Sequence, residues 1–207
     1  MLMRASLSEW DAKHRAAAEK AASGPAGFVR ELLPLLPRGP ALDLACGTGR
    51  HTLLLAGRQQ PVTAVDGSSV ALEMLQRRAR ASSQPLGSMK TATTIAASRR
   101  GIELVRADLE QAILPVNSFS LILCVNYLQR SLFSHIERAL APGGMLLFET
   151  HTRAQLEFPG GPRNPEYLLD LGELRVAFPS LRLLFYRELL AGKGIASLLA
   201  EKPFHHN

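Results

Sequence analysis

Ala41-Leu-Asp-Leu-Ala-Cys-Gly-Thr-Gly49 is a short apolar run carrying an acid and closing on two glycines, followed by the helical pattern Arg50 to Ala56. It reads as a buried strand, a tight turn and a helix, the geometry that brings bare backbone up to a nucleotide-like ligand. Gly47 and Gly49 supply the turn, since glycine accepts positive φ and carries no Cβ into a ligand's path. A dinucleotide fingerprint requires a third glycine three residues after the second, and Thr52 stands there, which disfavours NAD. No Gly-Lys-Ser/Thr follows, so the phosphate-binding loop of nucleotide hydrolases is absent too.

Outward from this stretch, strands and helices alternate. The first strand, Ala41 to Ala45, is followed by a helix at Arg50 to Gly57, a second strand at Val62 to Val65 and a helix at Ser68 to Ala81. A third strand spans Ile102 to Arg106 and a fourth Phe119 to Val125; a helix at Leu132 to Leu140 leads to a fifth strand at Met145 to Glu149. The strands are continuous apolar runs, as burial on both faces of a parallel sheet demands. After a Pro/Gly-rich loop, Phe158 to Pro165, the pattern predicts a helix at Tyr167 to Phe178 and a terminal strand pair, Leu181 to Glu188 and Ile195 to Glu201. Before the first strand, helices are expected at Leu7 to Ala22, with Ser6 or Ser8 as cap, and at Phe28 to Leu36, interrupted by Pro34.

The chain has 207 residues, 46% of them hydrophobic, enough for one core. The organisation expected is an N-terminal helical cap, 1-40, joined to one catalytic-sized domain, 41-207. Cys46 and Cys124 are too few for a disulfide framework; they fit a reducing compartment and read as small buried thiols near the ligand. No apolar segment reaches the ~20 residues of a membrane span, and Met1 to Lys20 lacks the apolar core of a signal peptide, so a cytoplasmic protein is expected. The net charge of +6 raises the question of nucleic acid. Arg77, Arg78, Arg80, Lys90, Arg99 and Arg100 cluster around the Ser/Thr/Ala-rich stretch 82–100, which reads as a flexible surface insertion. No aromatic residue is interleaved there to stack bases, which favours a solvated loop over an RNA-contacting one.

The five landmarks together resemble the class I S-adenosylmethionine-dependent methyltransferases. The glycine motif is joined by Val62-Thr-Ala-Val-Asp66, Gly101-Ile-Glu-Leu-Val-Arg-Ala-Asp108, Ser118-Phe-Ser-Leu-Ile-Leu-Cys-Val-Asn126 and Leu140-Ala-Pro-Gly-Gly-Met-Leu-Leu-Phe-Glu149, in the order that class requires. Trp10-Asp-Ala-Lys-His14 is similar to the branch that includes tellurite-resistance and thiol methyltransferases. The resemblance implies a doubly wound, mostly parallel seven-stranded sheet of order 3-2-1-4-5-7-6, its last strand antiparallel, with S-adenosylmethionine bound at the switch between strands one and four.

For the residues, the resemblance implies that Asp66 accepts both ribose hydroxyls; its competing role is a helix cap. Asp108 is placed for the adenine amino group, with Leu109 offering its amide, or is a turn residue. Asp43 holds the methionine amino end or braces the loop. Ala45, Gly47 and Gly49 let backbone lie along the cofactor, Gly67 and Ser68 border the adenine, and Asn126 faces the methionine end. Around the acceptor stand Trp10, Tyr127, Arg130 and His151. Glu149 and His151 are an orienting acid and base, or a strand-end pair with no catalytic part; no catalytic base is assigned. Trp10 either anchors its helix in the core or borders the acceptor, and Arg153, Arg163 and Asn164 either recognise an anionic acceptor or form a polar loop. Three functions follow as expectations: methyl transfer to a small molecule, methyl transfer to RNA or protein, or binding without catalysis. None requires a metal or a membrane.

Overall fold

The computed structural model describes residues 6–17 and 24–204. Its strands are β1 (Ala41–Leu44), β2 (Val62–Asp66), β3 (Lys90–Thr91), β4 (Ile102–Arg106), β5 (Phe119–Val125), β6 (Leu140–His151), β7 (Arg182–Leu189) and β8 (Ile195–Glu201). They form one sheet in the order β3-β4-β2-β1-β5-β6-β8-β7. Pairings from β3 through β6 are parallel, and β8 runs antiparallel to both β6 and β7. Leaving out β3, this is the expected order, with the last strand antiparallel.

The helices are α1 (Leu7–Ala17), α2 (Gly27–Leu32), α3 (Arg50–Ala56), α4 (Ser69–Ala81), α5 (Phe133–Ala139) and α6 (Glu173–Val176). Side chains alternate across β1. Ala41 joins Phe28 of α2, Leu55 of α3, Leu121 and Leu147 on one face, while Leu42 and Leu44 join the cluster on the other. There Phe133, Phe148 and Phe178 meet at ring-centroid distances of 4.9–5.9 Å. Strands buried on both faces have no polar side to spare, which is why β1 and β2 are buried at every position.

Two expectations are corrected. Stretch 82–100 is an ordered flap along the sheet margin rather than a loose insertion. It contributes β3, buries Ile95, and hydrogen-bonds to Thr63 through Ala96 O and Ser98 N at 2.9 Å each. Its low apolar content hid this, because its attachment is made chiefly by backbone. The helix expected at Tyr167 to Phe178 is broken: a 3-10 turn at Pro165–Tyr167 precedes extended chain, and α6 starts only after Gly172, whose φ of 75° is left-handed. Helix α1 spans Leu7–Ala17 of the described residues, and the expected continuation to Ala22 lies outside them. Ser6 is its cap, in a reciprocal box: Glu9 N donates to Ser6 Oγ at 3.3 Å and Ser6 N to Glu9 Oε2 at 2.6 Å.

At the outer margin, the first half of β7 is exposed and the second half partly buried, with Leu183, Leu184 and Phe185 on its surface and a register irregularity between Leu183 and Phe185.

Candidate active site

Strand β1 lies between β2 and β5, and the crossovers leaving it run in opposite directions. A crevice therefore opens beyond the carboxyl ends of these strands. Its volume is about 910 Å³, within the range of small-molecule sites. The turn after β1 forms its floor. Ala45, Gly47 and Gly49 have φ of 52°, 53° and 80°. The two glycines serve different ends. A Cβ on Gly47 would face the crevice and meet only His14 Cε1 at 3.6 Å, whereas one on Gly49 would lie 2.1 Å from Leu75 Cδ1 inside the protein. Gly47 thus gives a ligand access to backbone, and Gly49 lets α3 and α4 approach. Arg78 of α4 ties the turn down from outside, donating to Thr48 O at 2.8 Å.

Asp66, ending β2, accepts Gly47 N on Oδ2 and Ser68 N on Oδ1, both at 2.8 Å. A carboxylate has about four lone-pair sites, so two backbone donors fix its orientation and leave acceptor capacity for a pair of ligand hydroxyls. Burial raises its pKa, against the lowering effect of the Ser68 and Gly47 amides. The competing cap role belongs instead to Ser68, whose Oγ accepts Ala71 N at 3.1 Å. Asp43 is buried and turned to α3, accepting Thr52 Oγ1 at 2.5 Å; it braces the turn and does not line the crevice. Burial pushes its carboxyl up to about 6, with the Thr52 hydroxyl and amide pulling down.

Gly67, Ser68, Asp108 and Leu109 line the end of the crevice next to Asp66, and Asn126 and Tyr127 line it after β5. Asp108 also accepts Glu110 N at 3.0 Å, so its turn role is real. Asn126 sits at φ 60°, with its backbone N donating to Glu149 O at 2.8 Å. Tyr127 donates its hydroxyl to Gln129 Oε1. Arg130 is elsewhere, in a separate hollow of about 370 Å³, held bidentate by Glu173 at 2.6 and 2.8 Å.

His151 lines the crevice, but Glu149 does not orient it. Glu149 accepts Ser197 Oγ at 2.7 Å across the β6–β8 pair, while His151 Nδ1 lies 3.2 Å from Gln155 Oε1. Of the loop candidates, Arg153 pairs with Asp170, Arg163 donates to the carbonyls of Leu156 and Phe158, and Asn164 caps the turn at Pro165–Tyr167. Arg163 and Asn164 line the crevice; Arg153 does not.

Helix α1 lies over the opening. Trp10 is not a core anchor: it is partly exposed, lines the crevice, carries Lys13 Nζ at 4.2 Å over its ring and meets Tyr167 edge-on at 6.4 Å. Leu7 lies against Gly67, and Asp11 accepts Ser68 Oγ at 2.5 Å. The resemblance implies that this helix caps the pocket with its Trp10-Asp11 segment at the acceptor; Leu7, Lys13 and His14, which also line the crevice, were not foreseen, and Asp11 acts from outside it through Ser68. Cys46 lines the crevice and Cys124 is in the core, and burial raises both thiols. Among the described residues no group of three metal-ligating side chains forms, and no helix is long and apolar enough to cross a membrane.

A parallel sheet with this switch, a glycine turn at its crest and an acid closing the neighbouring strand make a crevice of the kind that holds a nucleoside. The chain belongs to the methyltransferase domain family, whose model matches residues 41–144. It is 30% identical over 115 residues to YqeM of Bacillus subtilis strain 168, which covers 56% of this chain; the chain spans 43% of YqeM. Its fold is shared by TehB from Haemophilus influenzae (18% identity, 90% of this chain and 65% of that one, TM-score 0.69). It is shared also by an S-adenosylmethionine-dependent methyltransferase from Mesorhizobium loti (19% identity, 85% and 98%, TM-score 0.62). S-adenosylmethionine is the cofactor of this class.

Proposed function

We propose that the chain transfers the methyl group of S-adenosylmethionine to a small-molecule acceptor. The observation that carries this reading is the Asp66 carboxylate, held by Gly47 N and Ser68 N beside a turn in which Gly47 presents bare backbone to the crevice. Asp66 would hold the ribose hydroxyls, Asp108 and Leu109 the adenine, and Ala45, Gly47 and Asn126 the methionine end. The sulfonium supplies an activated methyl group when bound. The chain's own work is then to hold an acceptor in line at ~3–3.5 Å and to keep water out.

Helix α1 serves the second task. It lies across the crevice on polar tethers, with Asp11 at the N-terminus of α4 and Trp10 against Tyr167, and none of the side chains from Leu7 to Ala16 is fully buried. Such a segment opens at small cost, as a lid must. The roofed site favours a small acceptor. Titration calorimetry with S-adenosylhomocysteine tests the reading: the wild-type protein binds, and Asp66→Ala weakens binding at least tenfold through loss of charge-assisted hydrogen bonds. A folded wild-type protein that gives no binding heat refutes it.

A further inference from the structure

Gln155 is buried in the 3-10 turn Arg153–Glu157, directly behind His151. Its amide can face only one way. Gly194 N donates to Oε1 at 3.1 Å, and a backbone N–H cannot accept, so that atom must be oxygen. On the other side Nε2 donates to Gly160 O at 3.2 Å. The side chain is also boxed in. A Cβ on Gly161 would come within 2.9 Å of Gln155 Cγ, and one on Gly194 within 2.2 Å of Gln155 N, so glycine at both places lets the chain close around it.

An oxygen fixed at this point settles the ring it touches. His151 Nδ1, 3.2 Å from Oε1, must carry the proton, and Nε2 is then the nitrogen with the lone pair. His151 lines the crevice with Tyr127, Thr150 and Tyr167. Burial lowers its pKa, and Lys193 acts in the same sense, while Gln155, the Gly194 backbone and Glu149 oppose them. The ring is thus neutral near pH 7.

We infer that His151 is a general base, held in its Nδ1–H tautomer by Gln155 as positioning residue, and that the acceptor is a phenolic hydroxyl. The inference rests on the methyl-transfer reading above. An acceptor thiol ionises near neutral pH by itself, and an amine attacks while neutral and sheds its proton afterwards. A hydroxyl needs the proton taken as it attacks, and a phenol, with a pKa near 10, is within reach of imidazole where an alkyl alcohol is not. In the step, the O–C bond forms as the S–C bond breaks, the electron pair stays on sulfur, and the O–H proton passes to His151 Nε2. The rings of Trp10, Tyr127 and Tyr167 line the same crevice and suit a flat acceptor.

Nitrogen-15 NMR of the histidine rings, on the full chain with no cofactor added, tests the tautomer. His151→Gln assigns the signal. At pH 7 the expected pattern is a protonated Nδ1 and a bare Nε2; Gln155→Leu mixes the tautomers, and Gln155→Glu moves the ring's titration to higher pH. A wild-type ring protonated on Nε2 overturns the proposal. With labelled methyl donor, catechol and a para-substituted phenol should be methylated at least tenfold faster than cysteamine or tellurite. His151→Gln should lower the phenol rate by about 10²–10⁴ while S-adenosylhomocysteine affinity stays within twofold. Preference for the thiol or the oxyanion, or a phenol rate unmoved by His151→Gln, also overturns it. Failure of the wild-type protein to bind S-adenosylhomocysteine strikes the methyl-transfer reading and leaves the tautomer result standing.

Discussion

Gly47 and Gly49 lie two residues apart in one turn, yet alanine at each should fail in a different measurement. Both glycines have positive φ, which costs a residue with a Cβ roughly 1–2 kcal/mol. At Gly49 the new methyl would also lie 2.1 Å from Leu75 Cδ1 and 2.8 Å from its Cγ and Cδ2, and Leu75 is fully buried, so it must repack against the core around it. Overpacking of this kind adds about 1–3 kcal/mol, so Gly49→Ala should lose roughly 2–5 kcal/mol. That is a large part of the about 5–15 kcal/mol by which domains are stable. At about 2–4 °C per kcal/mol, the melting temperature should fall by roughly 4–20 °C. Gly47→Ala pays only the backbone term, because its methyl meets nothing nearer than His14 at 3.6 Å. It stands where ligand backbone contact is needed, and affinity for S-adenosylhomocysteine should drop at least tenfold. Urea denaturation and calorimetry on both variants read the two effects. A Gly49→Ala protein as stable as wild type, or a Gly47→Ala protein with unchanged affinity, refutes the division of labour.

Three further outcomes are expected. Thr52→Val removes the hydroxyl that Asp43 accepts at 2.5 Å; a buried hydrogen bond to a charged group is worth about 1.5–3 kcal/mol, to be read in urea, and the Asp43 carboxyl should titrate above about 6 in a carbon-13 experiment. His51 is buried with Nε2 accepting Ala26 N at 3.2 Å, and its pKa falls from 6.5 to about 3, so the unfolded chain takes the proton first: stability is full above pH 6.5 and declines as pH falls towards 3. By pH 5 this amounts to about 2 kcal/mol, partly offset by Asp43, whose raised pKa acts the opposite way; the stability gap between wild type and His51→Gln should therefore narrow by about 2 kcal/mol from pH 7.5 to 5, and a constant gap counts against the argument. Asp11→Ala cuts the tether of α1 to Ser68 at a global cost under about 1 kcal/mol, but should speed proteolysis of α1 and weaken S-adenosylhomocysteine binding several-fold; unchanged cleavage would show that the tether does not hold the helix.

The sheet was readable because Ala41 to Leu44 and Val62 to Asp66 are buried at every position, and only long apolar runs satisfy that. Asp66 was readable for a related reason: an acid ending such a run needs a purpose, and its bonds to Gly47 and Ser68 supply it. Residues whose partners lie far along the chain were not. Arg130 looks like a crevice residue from its place after β5, but Glu173 draws it aside. Gln155 carries no recognisable spacing, and its meaning comes from Gly194, which the β8 hairpin brings back beside it. The flap at 82–100 has the composition of a solvated loop, and only its backbone bonds to the sheet, together with buried Ile95, set it apart. The helix expected through Tyr167 to Phe178 is interrupted where Leu169 bridges to Thr152, a partner some way back along the chain, and helix resumes only after Gly172.

The two margins of the sheet have different fates. At one end the flap covers β4 with a two-residue strand too short to recruit anything. At the other, the eight residues of β7 present a ragged border in which Leu183, Leu184 and Phe185 meet water, and the slip between Leu183 and Phe185 spoils the regular ladder another chain would need. The irregularity in the last hairpin thus works as a guard: deleting Leu184 would trade a ragged rim for a regular ladder of the kind on which copies pair edge to edge.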